Sequence, residues 1–311
     1  CGVGVVMDLD GRGGHDVVAD GLDLLANLEH RGTTGAEEKT GDGAGILLQI
    51  PHEFFAEEID GLPDTYAVGS LYLPQDESER ADAVDAVEDA LAEHGLETVA
   101  WRDVPTDNSE LGQTALDSEP HVAQVVVSPE RRLDDDAFER ALYVGRRAVE
   151  KAVDHERFYV CSLDRQTLVY KGLLKGDQVT DYYPDLRDER LTSTFVLVHA
   201  RFSTNTLGAW HLALPYRNIV HNGEFNTIKG NVNWMRARED DMESEHLDEA
   251  ALDTVRPVIA DPDQSDTASV DNALELLMQG GRDLPHALRM LIPEAWENDE
   301  SMDAERRDWY D

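Results

Sequence analysis

Hydrophobic and polar positions change period along this chain, and the changes mark out its elements. Val3–Leu9 is nearly continuous apolar sequence after a glycine-spaced start, the pattern of a buried strand. Asp16 is placed to cap a helix carrying Val17, Leu24, Leu25 and Leu28, with His30-Arg31-Gly32 as its stop. A glycine-rich loop, Gly41-Asp42-Gly43-Ala44-Gly45, leads into a short strand Ile46–Ile50, and Pro51 opens a helix through Phe54, Phe55 and Ile59. Further on, strands are predicted near 66–73, 121–128, 157–163 and 167–171. Between them lie helices near 76–94 (Val84, Val87 and Leu91 on one face) and 134–152 (Phe138, Leu142 and Val149). Apolar runs at Phe195–Val198 and Ile219–Val220 read as two more strands, and 268–294 reads as helical. Strands and helices alternate without the glycine fingerprint of a dinucleotide fold.

Charge changes this picture in two ways. The chain holds 65 Asp+Glu against 27 Lys+Arg, a formal net charge of −38, so nucleic acid and anionic membranes are excluded as natural partners. Only five of the cations are Lys, and the acids are spread along the chain. That distribution suggests a protein from a salt-adapted organism, because at ~1 M salt the Debye length falls to ~3 Å and self-repulsion is screened. The segment 76–110 carries twelve acids against Arg80 and Arg102, a solvated face. Val196–Met235 is the opposite, with Glu224 against Arg201, Arg217 and Lys229. A gap in the acid at that point is either a site for an anionic or zwitterionic ligand or a buried strand pair.

Two cysteines in 311 residues make no disulfide framework, and no apolar run approaches the ~20 residues of a membrane span. Asp8 and Asp10 directly after the first apolar run, with no basic region before it, do not fit a signal peptide, so a cytoplasmic location is expected.

The first residue is the strongest chemical feature. A cysteine at position 1 has a thiol and a free α-amine on one residue, and an amine titrating near ~7.7–8.0 can take the thiol proton close to neutral pH. Other readings are a lipidated cysteine, which should be followed by a flexible polar tether and not by Gly2-Val3-Gly4-Val5-Val6, or an arbitrary first residue. Two further stretches carry polar groups after apolar runs: His199-Ala200-Arg201-Phe202-Ser203-Thr204-Asn205-Thr206 and His221-Asn222-Gly223-Glu224. An Asn-Gly pair offers a side-chain amide and an unobstructed backbone N–H, the two donors an oxyanion needs, although the same pair commonly makes a turn.

Together, Cys1-Gly2-Val3-Gly4, Leu28-Glu29-His30-Arg31-Gly32, Gly41–Gly45, Arg201–Thr206 and Asn222-Gly223-Glu224 resemble the class II glutamine amidotransferases. Asn222–Asn231, Asp266–Asn272 and Ile292–Trp296 narrow the resemblance to the amidotransferase domain of glutamate synthase large subunits. Phe202 and Asn205 stand where the sugar-phosphate amidotransferases have Trp and His, which agrees with the synthase branch.

The resemblance implies an α+β fold, the four-layer α/β/β/α sandwich of N-terminal nucleophile hydrolases with two mainly antiparallel sheets. Residues 1–311 would form one glutaminase domain, truncated or separated from central and FMN/iron–sulfur synthase domains. Cys1 would attack the amide carbonyl of L-glutamine, with Asn222 and the Gly223 N–H holding the oxyanion. Arg201 would pair with the substrate carboxylate, assisted by Thr204; Asp266 would hold its ammonium, and Arg31 would steady the nucleophile. The ammonia would pass to a synthase domain, in cis or as a separate subunit, that makes glutamate from 2-oxoglutarate. FMN and an iron–sulfur cluster are expected there and no cofactor or metal here. The reductant would come from an NAD(P)H-dependent small subunit or from ferredoxin. Amidotransfer to a purine- or asparagine-pathway acceptor, or glutamine binding without catalysis, stand as alternatives. Cys161 is read as a buried structural thiol.

Overall fold

A computed structural model describes residues 1–31, 37–202, 208–260 and 264–310. They form two compact units, Cys1–Asn226 and Thr227–Asp311.

The first unit contains β1 (Gly2–Met7), α1 (His15–Asn27), β2 (Ala44–Gln49), α2 (His52–Glu58), β3 (Ala67–Leu73), α3 (Glu77–Glu93) and β4 (Leu96–Asp103). There follow α4 (Gln113–Asp117), β5 (His121–Pro129), α5 (Asp135–Ala152), β6 (Tyr159–Asp164), β7 (Thr167–Gly172), α6 (Gln178–Tyr182) and β8 (Phe195–Ala200). The strands make two four-stranded sheets, ordered β1-β8-β2-β7 and β4-β5-β3-β6, and every pairing is antiparallel. Helix α1 lies on the first sheet, and α3 and α5 lie on the second. One apolar core joins Leu47 and Val169 of the first sheet to Val68, Tyr72, Val122 and Val126 of the second, and continues through Ile46, Leu48 and Val198 under α1. This is the α/β/β/α sandwich that the resemblance implies. On the edge strand β7, the Lys171 carbonyl accepts from the hydroxyls of Tyr72 and Tyr183, both at 2.6 Å.

Several local expectations are corrected. Strand β1 is not buried on both faces: Val3, Val5 and Met7 are 39%, 58% and 55% exposed, and Leu9 is 90% exposed. The inward positions are Gly2, Gly4 and Val6. A Cβ on Gly4 would lie 2.3 Å from Leu24 Cδ2, so the glycine spacing admits α1 onto the sheet and turns the valines outward. Asp16 does not cap α1; Gly14 holds that position without a side-chain bond, and Asp16 lies in the first turn. The helix stops at Asn27 and continues as a 3-10 turn, Glu29–Arg31, while Gly32 lies outside the described residues.

Strand β4 was hidden in the acidic segment. It is an edge strand held by Arg102, whose guanidinium donates to both carboxylate oxygens of Asp185 at 2.7 Å. Ile219–Val220 forms no strand, because the Tyr216 N–H bonds the Ile219 carbonyl (3.2 Å) and closes a turn there. Cys161 is buried as expected, and burial pushes its thiol up to about 11.

The second unit is helical: α7 (Ile228–Glu239), α8 (Glu249–Val255), α9 (Asp266–Gln279), α10 (Leu284–Leu291) and α11 (Ala304–Tyr310). The helix expected over 268–294 is two helices, broken at Gly280-Gly281, where Gly281 has φ +93°. Ser265 caps α9 by accepting from the Ala268 N–H at 3.1 Å.

Candidate active site

Strand register brings the motifs of the first unit together. Gly2 on β1 and Ala44 on β2 both pair with Ala200 on β8, from its two sides. One residue beyond that three-strand row, the chain reaches Cys1, Arg201 and Gly43. Antiparallel pairing thus collects the start of β1, the start of β2 and the end of β8 at one edge of the sheet.

The contacts follow from this register. The Phe202 N–H donates to Cys1 Sγ at 3.3 Å, and the thiol donates to the Phe202 carbonyl at 3.5 Å. A backbone N–H aimed at the sulfur favours the thiolate. Asn222 Nδ2 donates to the Cys1 carbonyl at 3.0 Å, which ties the Asn-Gly loop to the nucleophile's own residue. The Arg201 N–H donates to the Gly43 carbonyl at 2.8 Å, and its Nη1 donates to the Asp42 carbonyl at 3.2 Å, which orients the guanidinium. The glycine loop passes tightly here. A Cβ on Gly45 would meet Lys171 Cβ at 2.5 Å, the Tyr170 carbonyl oxygen at 2.7 Å and the Leu214 carbonyl oxygen at 2.8 Å.

A model of the glutamine amidotransferases of class II matches residues 1–311. The chain belongs to the class II glutamine amidotransferases. The glutamate synthase [NADPH] large chain of Bacillus subtilis (strain 168) is 42% identical over 318 residues, matched by all of this chain and by 21% of that relative. The glutamate synthase [NADH] of Schizosaccharomyces pombe is 41% identical, with 100% of this chain and 15% of the relative covered. The chloroplastic ferredoxin-dependent glutamate synthase of Spinacia oleracea is 39% identical, with 96% and 19% covered. The chain therefore spans about a fifth or less of the length of these relatives.

Within this amidotransferase, the electrostatics around Cys1 favour a neutral amine. The α-ammonium is held below its ordinary 8.0, first because it is partly buried and then because the Arg31 charge repels it; Asp42 opposes the shift. Arg31 ends the 3-10 turn, and its Cβ lies 3.1 Å from where a side chain on Gly2 would begin. Asp42 itself is 7% exposed. Its role was missed in a loop read only for its glycines, although a carboxylate between two glycines is a readable signal. His199 begins one of the two polar stretches, and the sequence alone gives it no role. It is fully buried at the end of β8, and its Nε2 lies 3.0 Å from the His221 carbonyl.

The remaining expected residues divide by location. Gly223 is exposed beside His221, whose ring stacks on Phe225 at 4.3 Å. Thr204 and Asn205 lie outside the described residues. Asp266 belongs to the second unit, where it opens α9 and its carboxylate accepts from the Thr267 N–H at 2.6 Å. Of the three cations in the acid-poor stretch, Arg201 alone stands at the end of β8. Arg217 acts on Glu150, and Lys229 is an exposed residue of α7. No helix is long and apolar enough to cross a membrane among the described residues.

Proposed function

We propose that this chain hydrolyses L-glutamine to glutamate and ammonia through a thioester on Cys1, with residues 1–311 acting as the ammonia-supplying domain of a glutamate synthase. The observation that carries the reading is the meeting of thiol, depressed α-amine, Phe202 N–H and Asn222 amide at one strand end. The α-amine takes the thiol proton as Sγ attacks the amide carbon. The oxygen that becomes negative is held by Asn222 Nδ2–H and the Gly223 N–H. The ammonium then gives its proton to the departing nitrogen, ammonia leaves, and the γ-glutamyl thioester remains. Water, losing a proton to the amine, attacks the thioester and frees glutamate and the thiol. Arg201, held at the Asp42 carbonyl, pairs with the substrate α-carboxylate through its bidentate fork, with Thr204 assisting. Asp266 takes the α-ammonium, and Arg31 steadies the first residue while depressing its amine.

Ammonia released here is used by the synthase part of the protein to convert 2-oxoglutarate to glutamate, with electrons from a nicotinamide-dependent subunit or ferredoxin. The relatives named above, one NADPH-, one NADH- and one ferredoxin-dependent, support that assignment. FMN and an iron–sulfur cluster belong to the region outside the match. Cys1 and a buried Cys161 with a raised thiol pKa are no ligand set for a cluster.

The test is Cys1→Ala in the complete protein. Glutamine hydrolysis should fall to background while ammonia-dependent glutamate synthesis persists, and an electrophilic glutamine analogue should label the N-terminal peptide of the wild type in mass spectrometry. Hydrolysis unchanged by the substitution would remove Cys1 from the mechanism.

A further inference from the structure

We propose that His199 is a positioning residue for the oxyanion donors: through Nε2–H it holds the carbonyl of His221, and thereby the Asn222-Gly223 peptide that follows it. The inference rests on the reading of Asn222 and Gly223 given above.

His199 stands in the middle of the sheet, paired with Val3 on one side and Gly45 on the other, and it is 0% exposed. Its Nε2 lies 3.0 Å from the His221 carbonyl oxygen. A carbonyl can only accept, so Nε2 carries the hydrogen and Nδ1 is a bare acceptor. Nδ1 is buried and has no hydrogen-bond partner among the described residues. An unpaired buried acceptor is destabilising, so a histidine serving only to fill the core would be worse here than an apolar side chain of its size. The bond to His221 is what this residue does that Leu or Phe could not.

The segment from Ile219 to Asn226 has neither helix nor strand to fix it. The Asn-Gly peptide is instead tied at two points that lead into it, by His199 through the carbonyl before it and by Asn222 Nδ2 on the Cys1 carbonyl. Oxyanion stabilisation depends on donors already standing where the charge will develop, so an error of about 1 Å in this loop is costly. The ring remains neutral as it does so. Burial holds its pKa down to about 4 although the bond to the His221 carbonyl favours protonation, and the charges of the Cys1 α-amine, Arg201 and His221 oppose it further. The neutral ring then adds no further positive charge to that of Arg31 at the amine that serves as base.

The test uses the full-length protein with His199→Phe, which keeps the volume and removes the donor, and His199→Gln, whose amide can donate to the same carbonyl. For glutamine hydrolysis, His199→Phe should lower kcat by about 10²-fold with KM changed by less than about threefold, and His199→Gln should recover most of the loss. Alkylation of Cys1 by iodoacetamide, a displacement that develops no oxyanion, should proceed at the wild-type rate in both. A His199→Phe kcat within about threefold of wild type, alkylation falling in step with kcat, or no difference between the two variants would each overturn the proposal. Should His199→Phe not fold, nitrogen NMR of the wild-type ring decides. Protonated Nε2 with bare Nδ1 at pH 7 is expected, and the opposite tautomer or an imidazolium would refute it. A wild type that iodoacetamide does not label at Cys1 would instead count against the nucleophile assignment itself.

Discussion

Two groups in the first unit have titrations shifted in ways that kinetics and folding can each read. The Cys1 α-amine, the proposed base, can accept a proton only when neutral, and burial and Arg31 lower its pKa from 8.0. The acid limb of kcat/KM for glutamine should therefore have its midpoint below 8, and Arg31→Ala should move that midpoint upward by removing one of the two causes. A pH–rate profile of both proteins checks this. His199 is the second group. Its folded pKa, about 4, lies below the ordinary 6.5, so the unfolded chain binds the extra proton first. The stability gained from keeping it neutral is fully present above pH 6.5 and is lost as pH falls towards 4, up to about 3 kcal/mol for this one group. Glu150, held down at about 2 by Arg146, Arg147 and Arg217 against its burial, loses its contribution only below its ordinary 4.5. Denaturant melts between pH 6.5 and 4.5 thus report His199 before that carboxylate enters.

Among the elements, the row formed by β1, β8 and β2 does most to make the site, and glycine permits its packing. Ala at position 45 would have to displace Lys171 Cβ and two backbone carbonyls, none of which is the loose end of a side chain. Gly45→Ala should cost about 1–3 kcal/mol in chemical denaturation and reduce activity at temperatures where the fold is intact. Lys171 supports the same region from behind: Nζ donates to the carbonyls of Ala213 (2.8 Å) and His211 (3.2 Å) and lies over the rings of Tyr216 and Tyr159. Elements with a clear period, such as α3, α5, β3 and β5, were legible in the sequence to within a residue or two. Strand β4 was not, because an edge strand with one solvated face carries the same acids as an exposed helix. The outward valines of β1 were misread for a related reason. Hydrophobicity suggested which residues should be buried, whereas the room needed by α1 decided that the glycines face in.

Over the whole chain, a charge of −38 makes stability depend on screening. The melting temperature should rise steeply as KCl is raised from low to molar concentration. Glutamine KM should vary less, because the carboxylate contact proposed for Arg201 acts at short range, where added salt screens little. Titrating both quantities in one salt series tests this, and parallel collapse at low salt would mean that the site unfolds with the shell. The structure also narrows the acid-poor stretch. Arg217 is engaged with Glu150, so the stretch marks Arg201 and its strand and does not form a broad basic patch.

The sequence by itself determined the periods of most elements, the acidic surface and the residue types able to carry acyl transfer. It also held, in Cys1, Gly41–Gly45, Arg201 and Asn222-Gly223, the pattern that ties the chain to its family. Those features are local, and a local pattern survives in one dimension. Only the tertiary structure decided which motifs meet. The Phe202 N–H reaches the Cys1 sulfur across 201 positions of chain, through a ladder register that no single segment encodes. The bond from His199 to the loop before Asn222 and the charge of Asp42 acting on the Cys1 amine depend on that same register.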